Sequence, residues 1–188
     1  LHAVWLLRGR SVARAAVVGA GPIGLCILAA LRLRGARVTV CDLVPARLAV
    51  ARRMGAARVI RVNARRPMTE AARALGGPFD AVFEAGGTAT AVELALRAAR
   101  PGGGVALVGI PDGDTIPVHL HVARRKELTI VNVRRSNGEL AAAVRLVAAR
   151  RIDLRPMLTH RGGLEDASRL FALVHRRADG VVKAILHP

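Results

Sequence analysis

An α/β fold, a doubly wound parallel sheet with helices on both faces, is predicted for this chain by three observations. Short apolar β-type runs alternate with helix-period runs along almost the whole sequence. Several strand-like runs, such as residues 15–18 and 105–110, are apolar at every position, as strands covered on both faces are. The turn from the first strand into the first long helix reads G-x-G-x-x-G, at Gly19, Gly21 and Gly24.

Residues 1–12 read as the end of a helix and a connector. Strand 15–18 follows, then helix 23–33 with Pro22 in its first turn, where a missing N–H costs nothing. Strand 36–41 ends on Asp42. Residues 45–54 read as a helix, with Pro45 at its start and Gly55 just past its end. A short strand (58–62) and a helix (69–75, stopped by Gly76 and Gly77) lead to the β-like run Phe79–Glu84. Helix 88–99 carries Ala, Val and Leu at helical spacing, and a turn at 101–104 feeds strand 105–110. A basic loop precedes strand 128–133. Helices 140–150 and 164–175 are amphipathic, and strand 181–186 closes the chain. Residues 13–155 are expected to form the sheet domain and 156–188 a C-terminal segment.

Right-handed crossovers place the βα loops along one edge of such a sheet. Loops 19–24, 85–87 and 109–111 would then converge with Asp42 on one cleft. The strand–turn–helix–strand–acid order is that of a Rossmann-type dinucleotide unit. Gly19 permits the tight turn, Gly21 lets the backbone approach a pyrophosphate, and Gly24 lets the helix pack closely on the sheet. The helix N-terminus offers free N–H groups and the positive end of its dipole to phosphates. Asp42 can accept hydrogen bonds from ribose hydroxyls and repels a 2′-phosphate, which favours NAD over NADP.

Bulk properties narrow the class. The 188 residues are 52% apolar, which fits one globular domain. No apolar stretch is long enough for a membrane span, and no signal-peptide order of basic flank, apolar block and cleavage site is evident. Cys26 and Cys41 fall in a predicted helix and strand, as small hydrophobes in a reducing cytoplasm would. The first residue, Leu1, is not Met, so the chain reads as truncated.

The formal net charge is +17, and lysine stands only at Lys126 and Lys183, so nearly all of the basic residues are arginine. That balance admits a nucleic-acid partner. The arginines are scattered, with only short pairs such as Arg52-Arg53, Arg65-Arg66 and Arg124-Arg125. Three phenylalanines and no tyrosine leave few stacking platforms. Three serines occur, none in a nucleophile-elbow context. His119 and His121 flank Leu120 in an expected loop or strand, where they would share one face, and as a metal pair they would need a third ligand.

With these residues in hand, the chain resembles the cofactor half of the zinc-dependent medium-chain dehydrogenases, with features of the sorbitol/xylitol (polyol) branch. VVGAGPIGL matches that family's first turn, and CDLVPARLAVARRMGA its D-x-x-x-x-R-L-x-x-A-x-x-x-G-A segment. FDAVFEAGGTATAVELALRAARPGGGVALVGIP resembles the next two strands and their helix. NVRRSN is a degenerate V-F-R-Y-x-N, LRPMLTHRGGLEDA resembles the K-P-L-V-T-H-R strand and following helix, and DGVVKAIL the last strand.

The resemblance implies that Gly19, Gly21, Pro22, Ile23 and Gly24 face the pyrophosphate. It puts Asp42 on the adenosine ribose with Arg47 nearby, and Gly86, Gly87, Val108 and Gly109 on the nicotinamide side. Arg134 would contact cofactor or substrate; Arg135 stands where the family has tyrosine. In the family a zinc polarises the alcohol oxygen. Its Cys, His and acid ligands belong to an N-terminal domain toward which residues 156–188 would pack, and nothing in this sequence replaces them. The resemblance also implies pairing of edge strand 128–133 across a dimer axis.

Two functions are therefore expected as alternatives. One is the NAD(H)-binding part of an alcohol or polyol dehydrogenase, whose small substrate and zinc need the other domain. The other is a stand-alone nucleotide-binding module without turnover. A basic nucleic-acid binder is the weaker third.

Overall fold

The computed structural model describes residues 1–63 and 68–188, so the Arg65-Arg66 pair lies outside the described residues. The first half contains α1 (His2–Leu6), β1 (Arg14–Val18), α2 (Pro22–Leu33), β2 (Arg37–Asp42), α3 (Pro45–Arg53), β3 (Arg58–Arg61), α4 (Met68–Leu75) and β4 (Phe79–Glu84). The second contains α5 (Ala89–Ala98), β5 (Ala99–Leu107), α6 (Leu120–Arg125), β6 (Thr129–Asn132), α7 (Leu140–Ala148), β7 (Leu158–Gly163), α8 (Ala167–Arg176) and β8 (Lys183–His187).

Six strands form one sheet in the order β3-β2-β1-β4-β5-β6, and every neighbouring pair is parallel. The pleat sends alternate residues to opposite faces. Ala15 and Val17 of β1 join Val40 and Phe83 in a core closed by Leu25, Leu28 and Leu31 of α2 and Leu48 of α3. Ala16 and Val18 join Val82 and Val105 in a second core closed by Leu75 of α4 and Leu94 and Leu96 of α5. Burial on both faces explains why the central strands read as unbroken apolar runs. Phe83 is wholly buried, and cutting it to alanine would cost about 3–5 kcal/mol.

Two features depart from the sequence expectation. Pairing between β4 and β5 begins at Phe79–Ala99 and resumes at Ala81–Gly104, so the expected turn at 101–104 is an excursion inside a strand. Gly102 permits it with φ +67. The expected basic loop contains a helix, α6, whose first flanking residue is His119. His119 and His121 therefore do not share a face, because residues two apart diverge around a helix. Strand β8 lies outside the main sheet and pairs in parallel with β7 in a separate sheet of two strands.

One of the two lysines has a defined task. Lys126 Nζ donates to the carbonyls of Arg97 (2.6 Å), Ala99 (2.7 Å) and Leu96 (3.2 Å), closing the C-terminal end of α5. An ammonium suits three converging oxygens better than a planar guanidinium does. Burial pushes its pKa down, and the nearby Arg97 charge adds to that. Among the described residues, no helix is long and apolar enough to cross a membrane.

Candidate functional site

The sheet order reverses between β1 and β4, so the loops leaving these two strands part and open a cleft at their carboxyl ends. The glycines of the first loop have distinct roles. Gly19 holds φ +105, and a Cβ there would meet the Ala85 carbonyl oxygen at 2.9 Å. A Cβ on Gly24 would run into the Gly19 carbonyl oxygen, so α2 can pack onto the turn only with glycine there. Gly21 is the opposite case, with open space where its Cβ would be. It also precedes α2 in extended backbone with no side-chain cap, so the helix N-terminus is left for another acceptor.

Two carboxylates tie the loops of this edge to the sheet. Asp42 ends β2: its Oδ2 accepts from the Ala20 N–H at 2.6 Å and its Oδ1 from the Val44 N–H at 2.8 Å. Glu84 ends β4 and is 1% exposed. Its Oε1 accepts from the N–H groups of Gly86 (2.6 Å) and Gly87 (2.7 Å), and its Oε2 from Gly109 (3.2 Å). Its own carbonyl accepts from Val108 and Gly109. A Cβ on Gly109 would overlap the Gly87 backbone, so the two loops form one tight platform.

A cleft of about 260 Å³ runs along this edge, lined by Gly19, Gly21, Asp42, Arg47 and Gly86 together with Val62, Met68, Ala91 and Leu94. The described structure thus brings together Gly19, Gly21, Asp42, Arg47 and Gly86 of the expected set. Pro22, Ile23 and Gly24 form the first turn of α2, with Ile23 exposed, while Gly87, Val108 and Gly109 belong to the platform. Arg134 is exposed beyond β6 and outside the lining of this cleft. Thr88 caps α5 by accepting from the Ala91 N–H at 3.2 Å.

The sequence reading passed over two residues of this edge. Glu84 had a visible signal, an acid ending an apolar strand before a glycine pair, the pattern that singled out Asp42. Arg177 also lines the cleft, reaching it from the turn after α8; as one arginine among many it carried no signal.

Among the described residues, no group of three or more His, Cys, Asp or Glu side chains is placed to hold a metal ion. Cys41 is buried at the end of β2, and burial, helped by the neighbouring Asp42 charge, pushes its thiol up to about 12. The Cys26 thiol is also raised, mainly by burial. His119 is engaged with α5, its Nδ1 lying 3.1 Å from Glu93 Oε2.

The family model described as "Zinc-binding dehydrogenase" matches residues 22–149. Sorbitol dehydrogenase of Gallus gallus is 34% identical over 173 residues, 89% of this chain and 48% of that protein. Among solved structures, alcohol dehydrogenase TADH from Thermus sp. ATN1 superposes with a TM-score of 0.86 at 29% identity, over 100% of this chain and 54% of that one. A short chain alcohol dehydrogenase from E. coli CFT073 complexed with cofactor NADH shares the fold, with a TM-score of 0.82 at 23% identity over 93% of this chain and 52% of that one. The chain spans about half the length of the curated relatives it matches.

Proposed function

Because the chain belongs to the zinc-binding dehydrogenase family and corresponds to its cofactor-binding domain, we propose that its cleft binds NAD(H) in preference to NADP(H). In a complete enzyme this would serve oxidation of a secondary alcohol or polyol to a ketone. The residues present suit the dinucleotide. The uncapped N-terminus of α2 and the open space at Gly21 suit a pyrophosphate, and Asp42 suits the adenosine ribose hydroxyls. The apolar residues Val62, Met68, Ala91 and Leu94 suit adenine, and the platform of Gly86, Gly87, Val108 and Gly109 suits the nicotinamide end. NAD, when bound, supplies the hydride acceptor. What this chain's own residues do is hold and orient that acceptor: Glu84 fixes the platform and Asp42 the glycine turn.

The zinc of the family is a different matter. Its usual cluster of cysteine, histidine and acid has no counterpart among the described residues, so no step through zinc is assigned to them. Metal, substrate contacts and proton removal would come from residues outside the sequence given. Strand β6 lies at the open edge of the sheet, and we assign it, with residues 128–133 around it, the pairing of two copies. A cytoplasmic setting suits the two free thiols.

The observation that carries this reading is the contrast within one turn, where Gly24 is closed by backbone and Gly21 opens onto the cleft beside Asp42. NADH titrated into the chain, followed by nicotinamide fluorescence, is expected to saturate. The absence of a saturable signal at millimolar NADH would overturn the binding claim.

A further inference from the structure

We infer that Arg47 and Arg177 form a two-guanidinium clamp for a phosphate group of the adenine nucleotide, an inference that rests on reading the cleft as a nucleotide site. It makes the turn after α8 part of that site.

Both arginines line the same cleft as Asp42. Arg47 comes from the first turn of α3 and is half-buried. Its Nε is shut off from solvent and has no hydrogen-bond partner among the described residues. A guanidinium N–H held away from water without an acceptor is unfavourable, so Arg47 gains from a turn of its side chain that brings the guanidinium to an acceptor in the cleft. Asp42 does not supply it. Its two oxygens bond to Ala20 and Val44, and neither Arg47 nor Arg177 makes an ion pair among the described residues.

Arg177 reaches the cleft from elsewhere in the chain. It ends α8 in the left-handed region, at φ 52, with its N–H donating to the Val174 carbonyl. The turn it begins is seated against α3, where a Cβ on Gly180 would lie 3.0 Å from the Ala46 Cβ. It is also tied to β7, His160 Nε2 lying 3.3 Å from Asp179 Oδ2. The backbone is thus anchored while the long side chain stays exposed and can fold over a ligand. Two forked, permanently charged guanidiniums on one cleft, one lacking an acceptor, match phosphate oxygens by charge and by geometry. Adenine nucleotides carry such a phosphate as a 5′-diphosphate, shared by NAD and NADP, or as a 2′-phosphate, found in NADP alone.

The test is calorimetric titration of the full 188-residue chain with adenosine, ADP and 2′-AMP, for the parent, Arg177→Gly and Arg47→Gln. Glycine at 177 removes the guanidinium and suits the left-handed backbone, so that variant is expected to melt no lower than the parent. The clamp predicts a loss of about tenfold in affinity for ADP or for 2′-AMP in each variant, with adenosine unchanged. Loss for ADP assigns the 5′-diphosphate; loss for 2′-AMP assigns the 2′-phosphate and overturns the proposed preference for NAD(H). If the parent binds ADP and Arg177→Gly binds both phosphates equally well, the clamp is wrong and the nucleotide site stands. If the parent binds none of the three, both are wrong.

Discussion

Asp42 Oδ2 accepts a 2.6 Å hydrogen bond from the backbone N–H of Ala20, in the middle of the glycine turn. The acid at the tip of β2 therefore braces the neighbouring loop, and each of its oxygens keeps lone-pair capacity for a ribose hydroxyl. Asp42→Ala should lose both interactions. NADH affinity is expected to fall about tenfold or more, since hydrogen bonds to a charged group are worth about 1.5–3 kcal/mol. The preference for NADH over NADPH should shrink with it; an unchanged ratio in parallel fluorescence titrations would contradict the ribose assignment.

The glycines of the turn should separate stability from binding. Alanine at 24 collides with the Gly19 carbonyl, so Gly24→Ala should destabilise the fold by about 1–3 kcal/mol. Alanine at 21 meets nothing within 4 Å and the backbone there is extended, so Gly21→Ala should melt close to the parent. It should nevertheless bind NADH weakly, because its methyl fills the space assigned to the pyrophosphate. Thermal melts with NADH titrations check both halves.

Glu84 holds three backbone N–H groups from two loops. Glu84→Ala takes the carboxylate from Gly86 and Gly87, while Gly109 keeps the residue-84 carbonyl, and a buried donor left unmet, as at Gly87, costs about 1–3 kcal/mol. Urea unfolding should show a severe loss. Glu84→Gln, which keeps one acceptor oxygen, should fall between the alanine variant and the parent.

Asp80 sits at the start of β4, away from the cleft. It accepts from the Arg14 N–H (2.9 Å), Ser11 Oγ (3.2 Å) and Arg100 Nε (2.8 Å). These bonds, chiefly the one from the Arg14 backbone, hold its pKa below the ordinary carboxylate value. A carboxyl with a depressed folded pKa adds stability above its unfolded pKa, and that part is lost as pH falls through the folded value. The parent should therefore exceed Asp80→Asn by a constant margin at neutral pH, a margin that shrinks below about pH 4. Denaturant unfolding across pH checks this, and a margin undiminished in acid would count against it.

The raised thiol of Cys41, at about 12, predicts that it stays protonated in the native fold. Cys26 is shifted the same way. Ellman's reagent at about pH 8 should react slowly with the native chain and rapidly, at both cysteines, once it is unfolded. Prompt reaction of Cys41 in the native state would show that the end of β2 opens.

Much of this was legible because it is local. The central strands are apolar on both faces and so stand out, and the glycine turn with Asp42 lies within one contiguous unit. The rest depends on distant partners. Glu84 is an acid in sequence, but its meaning lies in Gly109, on a loop after the next strand. The pairing of Ala99 ahead of the excursion at 101–104 is set by Phe79 across the sheet. Helix α6, Leu120–Arg125, is too short to show a helical period. Arg177 lines the cleft from a turn that lies against Ala46, more than a hundred residues away in sequence.

The central claim, that the glycine turn and its neighbouring loops hold the dinucleotide, is tested most directly by amide NMR during an NADH titration. The account predicts saturable shifts concentrated at residues 19–24, 42–47, 86–87 and 108–109. Shifts spread over the arginine-rich surface without saturation, or absent from the glycine turn, would contradict it.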